Sequence, residues 1–148
     1  MTKTVTLHQV FTAPVERVYR AFTDPDALAK WMAPHGFTAR VEHQYVQVGG
    51  TYKMSFSNFS TGSQHSFKGT YLEVIPNKLL TYTDEFDDPN LPNKIQVSVN
   101  FKKVPLGTEI YITQSNLPEI IPEDACYMGW QESLQLLSLL VTPSIDDD

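Results

Sequence analysis

The carboxy-terminal segment constrains the fold of this chain more than any other part of the sequence. Tyr127, Trp130, Leu134, Leu137 and Val141 recur at intervals of three and four residues, which places them on one face of an α-helix. The polar residues of the same segment form only a narrow strip. The pattern therefore predicts that most of this helix is buried and that the rest of the chain supplies a wide apolar surface to cover it.

The stretch from about residue 37 to residue 116 has the two-residue alternation of half-buried β-strands. The alternating apolar positions include Tyr52, Met54, Phe56, Ile95, Val97, Val99 and Phe101. The turns that separate these strands are predicted at Gly49-Gly50, Thr61-Gly62, Pro76-Asn77 and Pro105 to Gly107. Short connections of this kind predict an antiparallel meander of five or six strands, and an opening strand through Val5, Leu7 and Phe11 precedes it.

Two short helices are predicted directly after the opening strand. Val15 and Val18 begin an apolar stripe that continues through Phe22, and Asp24-Pro25 then provides a cap and a first-turn proline for a second helix. The whole pattern predicts an α+β domain in which a curved antiparallel sheet of six to seven strands wraps around the long carboxy-terminal helix. A glycine within a strand, such as Gly69, is expected to let the sheet bend.

Charge and cysteine content exclude several classes of protein. The chain of 148 residues has 17 acidic and 11 basic side chains, and its net charge of -6 repels nucleic acid and anionic membrane surfaces. No apolar run approaches the length of a membrane span, so we expect no membrane insertion. The single cysteine, Cys126, forms no disulfide within the chain, which favours a cytoplasmic location.

Motifs for cofactors and metals are missing from the sequence. The Val48-Gly49-Gly50 segment lacks the further glycines of a phosphate loop or a dinucleotide fingerprint, and no nucleophile elbow occurs. The four histidines have no spacing that would build a metal site within one element. We therefore expect no cofactor, no metal and no dedicated catalytic residue.

A helix packed against a concave sheet tends to leave a cleft that the side chains do not fill, and apolar clefts with a few polar groups are the usual small-molecule sites. Strand parity and helix spacing predict which side chains surround this cleft. The predicted ligand-pocket residues are Trp31, Met54, Phe56, Phe67, Tyr71, Tyr82, Asp84, Phe86, Val97, Val99, Trp130, Leu134 and Leu137.

Asp84 has two alternative interpretations. It shares the strand face of Tyr82 and Phe86, and a carboxyl group buried there would have a raised pKa and act as an acid or base. The acidic residues Glu85 and Asp87 that follow indicate instead a solvated strand end, which is the commoner environment for an aspartate. His35, in a loop near the predicted pocket mouth, is a second candidate, although a loop histidine is usually only exposed.

Four ordered segments of the chain resemble a known family. They are FTAPVERVYRAFTDPDALAKWM, VGGTYKMSF, FKGTYLEVIPNKLLTYTDEF and MGWQESLQLLSLL. Together they resemble the homologues of the activator of the heat-shock-protein-90 ATPase, within the START-like (SRPBCC) superfamily that shares the helix-grip fold of the birch pollen allergen. The resemblance implies one START-like domain over residues 1–148. Members often carry an acidic residue and an arginine before the double glycine, where this chain has Gln44 to Gln47.

Three functions are compatible with this fold, because it supports many unrelated activities. The first is a non-catalytic domain that holds an apolar or amphipathic small molecule between sheet and helix. The second is an enzyme of the cyclase or hydrolase kind that uses Asp84, Tyr82 or His35. The third is a co-chaperone-like module that contacts a chaperone or a second copy of the chain, as the resemblance to chaperone activators implies.

Overall fold

The structure is a computed structural model that describes residues 3–91 and 93–147, and these residues form seven strands and three helices. In chain order the elements are β1 (Lys3–Phe11), α1 (Val15–Thr23), α2 (Pro25–Trp31), β2 (Phe37–Gln44), β3 (Thr51–Asn58), β4 (Gln64–Ile75), β5 (Leu79–Phe86), β6 (Ile95–Val104), β7 (Gly107–Leu117) and α3 (Glu123–Val141). Within the described part of the chain, no helix is long and apolar enough to cross a membrane.

All seven strands belong to one curved antiparallel sheet with the order β1-β7-β6-β5-β4-β3-β2. Strands β2 to β7 follow one another as a meander, and β1 joins the outer edge of β7. The helices pack on one side, where α3 contacts β1, α1 and α2. The structure confirms the predicted α+β architecture, including the two short helices after the first strand.

The junction between α1 and α2 is fixed by local chemistry that the sequence predicts. The Asp24 carboxylate accepts hydrogen bonds from the backbone N–H groups of Asp26 at 2.9 Å and Ala27 at 3.2 Å, which caps α2. At the other end of α2, Trp31 is buried and its indole N–H donates to the Ala21 carbonyl at 2.8 Å. These bonds hold the two helices against each other and against the sheet.

Helix α3 is buried only along its carboxy-terminal half, where Ser133, Leu134, Leu137 and Val141 face the core. The prediction that Tyr127 belongs to the same buried face is wrong, because this side chain is 43% exposed. The physical reason is that Ala125, Cys126, Gly129 and Trp130 are the residues of this half that face the interior, so Tyr127 lies on a face of the helix that has no cover. The outward-facing Met128 of this half is exposed as well.

Candidate functional site

A cavity of about 200 Å³ lies between the concave face of the sheet and the amino-terminal half of α3. Strands β3 to β7 form its floor and walls, and residues of α1, α2 and α3 close its other side. The lining residues that mark its mouth are partly or fully exposed, and they are Pro34, Phe56, Phe86, Ala125, Cys126 and Gly129.

The cavity brings together nine of the thirteen predicted pocket residues. These nine are Met54, Phe56, Phe67, Tyr71, Tyr82, Asp84, Phe86, Val97 and Trp130. The other four, Trp31, Val99, Leu134 and Leu137, are buried in the core but do not line the cavity. They belong to the packed hydrophobic core instead. His35 is exposed and outside the cavity, and its backbone N–H donates to Glu132 Oε1 at 3.2 Å.

Several wall residues were not predicted. The additional lining residues are Phe22, Leu28, Met32, Pro34, Tyr52, Leu80, Gln114, Ala125, Cys126, Gly129 and Ser133. Parity could have found Tyr52 and Gln114, because Tyr52 alternates with Met54, and Gln114 continues the apolar alternation of Ile110 and Ile112. A glutamine at an apolar position of a strand indicates a polar group that faces the interior, as the position of Asp84 does.

A gap in the ladder between β4 and β5 gives the cavity its polar centre. Lys68 pairs with Glu85, and Tyr71 pairs with Tyr82. Between these two pairs, hydrogen bonds that involve side chains take the place of backbone ladder bonds. The Thr70 N–H donates to Thr83 Oγ1 at 2.9 Å, and the Tyr52 hydroxyl lies 2.8 Å from the Thr83 carbonyl oxygen and 3.2 Å from Asp84 Oδ1. A tyrosine from β3 therefore reaches across β4 into the ladder.

Gly69 makes this reach possible. A Cβ at position 69 would collide with the Thr83 carbonyl oxygen and with the ring and hydroxyl of Tyr52. The glycine is therefore required by a close approach of side chain to backbone. The sequence predicted a bend at this position, whereas the structure gives the glycine the role of leaving space for Tyr52.

The electrostatics of Asp84 follow from its position beside Tyr52. Burial raises the pKa of Asp84 to about 7; the Tyr52 hydrogen bond lowers this pKa, and the neighbouring charge of Glu85 raises it. Burial also raises the pKa of the Tyr52 and Tyr82 hydroxyls well above the ordinary value, with the Asp84 charge as the second cause. Both tyrosines therefore keep their protons, and Asp84 is the group that titrates near neutral pH.

A second polar contact lies beside the cavity wall at Gln44. This residue belongs to the segment before the double glycine, where related proteins often carry an acidic residue and an arginine. The Gln44 Nε2 group donates to the Tyr71 hydroxyl at 2.9 Å and to the Phe22 carbonyl at 3.0 Å. Burial raises the pKa of Tyr71 to about 12, while the Gln44 hydrogen bond lowers it. An uncharged amide thus connects the carboxy-terminal end of β2 to the cavity wall.

Among the residues that the structure describes, the cavity wall carries one acidic side chain, Asp84, and no lysine, arginine or histidine. No three His, Cys, Asp or Glu side chains within residues 3–91 and 93–147 lie close enough to hold a metal ion. The remaining polar wall groups are the tyrosine hydroxyls, Gln114, Ser133, the Trp130 indole and the Cys126 thiol. This arrangement can form hydrogen bonds to a ligand. Asp84 is the wall group that can exchange a proton near neutral pH, because burial raises the pKa of the Cys126 thiol as well as those of the tyrosines.

Solved structures with the same fold include one protein of substantial sequence identity. A protein from Chromobacterium violaceum, known from its crystal structure, is 46% identical, with a TM-score of 0.94 over 95% of this chain and 98% of that chain. An AHSA1-like protein from Aeromonas hydrophila, solved by NMR, is 22% identical, with a TM-score of 0.79 over 94% of this chain and 92% of that chain. At that identity the second comparison shows the fold alone.

A comparison with curated proteins gave no match. The family model described as activator of Hsp90 ATPase homolog 1-like protein matches residues 12–142, which include both short helices, strands β2 to β7 and all of α3. This match covers most of the chain and agrees with the resemblance found in the sequence, so the chain belongs to the family of activator of Hsp90 ATPase homolog 1-like proteins.

Proposed function

We propose that this protein binds a small apolar or amphipathic molecule in the cavity between the sheet and α3. The observation that carries the proposal is a cavity of about 200 Å³ whose wall is mostly apolar and contains a few polar groups near Asp84. This combination is the usual form of a small-molecule site. For scale, an engineered cavity of about 150 Å³ holds benzene. The cavity therefore has room for one or two rings of a ligand and is too small to enclose a sterol.

Gly129 offers a direct test of occupancy. This helical glycine lines the cavity, and a Cβ added there would have no neighbour within 4 Å. We expect Gly129→Phe to place a ring in the cavity space without a clash at the backbone. Gly129→Ala is the matched control, because it makes the same backbone change and leaves the space free.

The measurement is the melting temperature of the parent and both variants with a panel of single-ring and two-ring molecules, supported by native mass spectrometry. We expect at least one molecule to stabilise the parent and Gly129→Ala, and Gly129→Phe to lose this effect. The proposal fails if no molecule stabilises the parent, or if Gly129→Phe responds as the parent does.

A second candidate function is catalysis by Asp84, which one observation favours. A carboxyl group whose pKa is about 7 inside a cavity can act as an acid or a base at neutral pH. Tyr82 lines the same cavity, whereas His35 does not, so His35 is not part of this candidate. Following the Asp84 carboxyl resonance by NMR tests it, because an ordinary pKa near 4 would leave Asp84 ionised at neutral pH, with no proton to donate and with only weak basicity.

Contact with a chaperone or with a second copy of the chain stays a prediction, as does a cytoplasmic location. The family's description, which refers to an Hsp90 ATPase activator, supports testing the first. Size-exclusion chromatography with and without Hsp90 would detect a complex as an earlier elution volume.

A further inference from the structure

The Gln114 side chain offers an unused hydrogen-bond donor to the cavity. It is only 8% exposed, it lines the cavity, and its Oε1 accepts the Trp130 indole N–H at 3.0 Å. Because the indole only donates, this bond fixes the amide orientation and leaves the Nε2 group on the other side. Within the described part of the chain, Nε2 has no hydrogen-bond partner, and it is not among the fully enclosed atoms.

The Tyr82 hydroxyl is a second unused donor on the same part of the wall. Tyr82 pairs with Val97 across β5 and β6, and Val97 pairs with Gln114 across β6 and β7. The two polar side chains thus belong to one row across the sheet, on either side of a valine. The Tyr82 hydroxyl makes no hydrogen bond to any described residue and keeps its proton. Neither donor is fully enclosed, so each is accessible from the cavity space and can donate to an acceptor there.

The proton order at Asp84 adds a third donor. Tyr52 has one hydroxyl proton and two acceptors, and the Thr83 carbonyl at 2.8 Å is nearer than Asp84 Oδ1 at 3.2 Å. The Tyr52 hydroxyl donates to both oxygens, so a neutral Asp84 accepts this bond at Oδ1 and has its own proton available for an acceptor in the cavity. Burial, which raises the pKa of Asp84, supports the neutral form.

The charge of the wall limits what can enter. An anionic ligand would lose its hydration beside Asp84 without meeting any cation, because the wall contains no lysine, arginine or histidine. A cation would find Asp84 but would also face the donor group of Gln114. An uncharged hydrogen-bond acceptor can bind the donor groups of the wall without repulsion from Asp84 or Gln114.

The positions of these groups also orient the ligand. Tyr82 and Gln114 are buried, whereas the mouth is formed by partly exposed apolar residues such as Phe56 and Phe86. A ligand that enters with its polar end first places that end between Tyr82 and Gln114. Its apolar body then lies beside the phenylalanines and the exposed half of α3.

Building on the proposed small-molecule function, we propose that the cavity selects a compact, uncharged molecule with a carbonyl oxygen at its polar end. The oxygen accepts hydrogen bonds from Gln114 Nε2 and the Tyr82 hydroxyl, and the apolar body of the molecule points toward the mouth.

Four probes with the same ring and different polar ends test this selection. They are acetophenone, ethylbenzene, benzoate and 1-phenylethylamine, and their Kd values are measured by calorimetry or NMR titration with the full chain. Two neutral hydrogen bonds of about 1 kcal/mol each correspond to at least a tenfold lower Kd for acetophenone than for ethylbenzene. We expect benzoate and the amine to bind more weakly than acetophenone.

Variants of Gln114 and Tyr82 show which donor contributes to the preference for acetophenone. Gln114→Met keeps the length of the side chain but removes its donor together with the Oε1 acceptor of the Trp130 indole. We expect it to raise the acetophenone Kd about fivefold more than it changes the ethylbenzene Kd. Tyr82→Phe is the second variant, because it leaves the Trp130 contact intact. Tyr111→Phe, at an exposed position of β7, is the control for both. The Gln114 side-chain NH₂ resonances should shift with acetophenone but not with ethylbenzene.

The results separate this inference from the proposed function on which it depends. Carbonyl selection is overturned if ethylbenzene binds as tightly as acetophenone, if benzoate or the amine binds best, or if none of the four binds. Equal losses for acetophenone and ethylbenzene in the donor variants would also overturn it. Small-molecule binding itself is judged by the wider panel and the Gly129→Phe comparison, so it fails only when that panel fails.

Discussion

The Tyr52 hydroxyl lies 3.2 Å from Asp84 Oδ1, in a gap of the sheet ladder that Gly69 leaves open. The same hydroxyl lies 2.8 Å from the Thr83 carbonyl, so one proton serves two acceptors. This relationship connects three strands, since Tyr52 belongs to β3, Gly69 to β4 and Asp84 to β5. The protonation state of Asp84 therefore affects the hydrogen bonds of the sheet as well as the charge of the cavity wall.

Asp84→Asn is expected to stabilise the protein at high pH and much less at low pH. The folded-state pKa of about 7 exceeds the ordinary value of 3.8, so the folded chain holds a proton that the unfolded chain has released. The parent's free energy of unfolding therefore falls as pH rises from about 4 to about 7, and it stays lower above that window. The variant removes this loss, on the order of 4 kcal/mol at pH 8.

Melting temperatures of the parent and Asp84→Asn between pH 4 and pH 8 provide the measurement. Asp87→Asn is the control, because Asp87 is an exposed carboxylate just after the same strand. A constant difference between the parent and Asp84→Asn over the whole range would contradict a raised pKa.

Gly69→Ala is expected to destabilise the protein by about 3 kcal/mol or more. Its new methyl group collides with the Thr83 carbonyl and with Tyr52, and neither can move without opening the ladder. Chemical denaturation gives the free energy of unfolding. Adding Tyr52→Phe should not rescue the variant, because the collision with the Thr83 backbone remains. Near-parent stability of Gly69→Ala would show that the gap is wider than the structure has it.

Gly129→Ala is expected to stabilise the protein by roughly 0.5 to 1 kcal/mol. Position 129 is helical, and a Cβ there meets no atom within 4 Å, so alanine lowers the entropy of the unfolded chain without a clash. The same denaturation experiment measures this change. A loss of stability would mean that the helix requires the glycine for a close contact.

Leu134→Ala is expected to cost about 2 to 5 kcal/mol of folding free energy, because it removes a fully buried side chain from the contact between α3 and the core. Leu139→Ala, on the same helix at a position that is 72% exposed, should change stability by less than about 0.5 kcal/mol. Binding of any cavity ligand should be affected little by either variant. Similar costs for the two variants would contradict the buried face assigned to α3.

Periodicity predicted the sheet, the short helices and α3 because it depends on local spacing, which the chain retains in the folded state. The alternation of Tyr82, Asp84 and Phe86 also placed Asp84 on the inner face correctly. It did not show whether the carboxyl group is solvated. That depends on Tyr52, which comes from two strands away and reaches Asp84 only because position 69 is a glycine.

The sequence also did not predict how far the cavity extends along α3. Trp130 and Leu134 are one turn apart on the same helix, yet Trp130 lines the cavity and Leu134 is packed in the core. The spacing of apolar residues is the same on both sides of this boundary. The curvature of the sheet determines where helix and sheet separate, and curvature is the sum of many strand pairings that no single segment encodes.

This separation gives the two halves of α3 different local stabilities. From Ser133 onward the helix is anchored in the core, whereas the turns before it lie over the cavity and begin at Pro122, which provides no side-chain cap. Opening those first turns exposes few packed side chains, so it requires much less free energy than unfolding the domain. Amide exchange should therefore be faster before Ser133 than after it, and the rate of ligand entry would be governed by this local opening while the sheet remains intact.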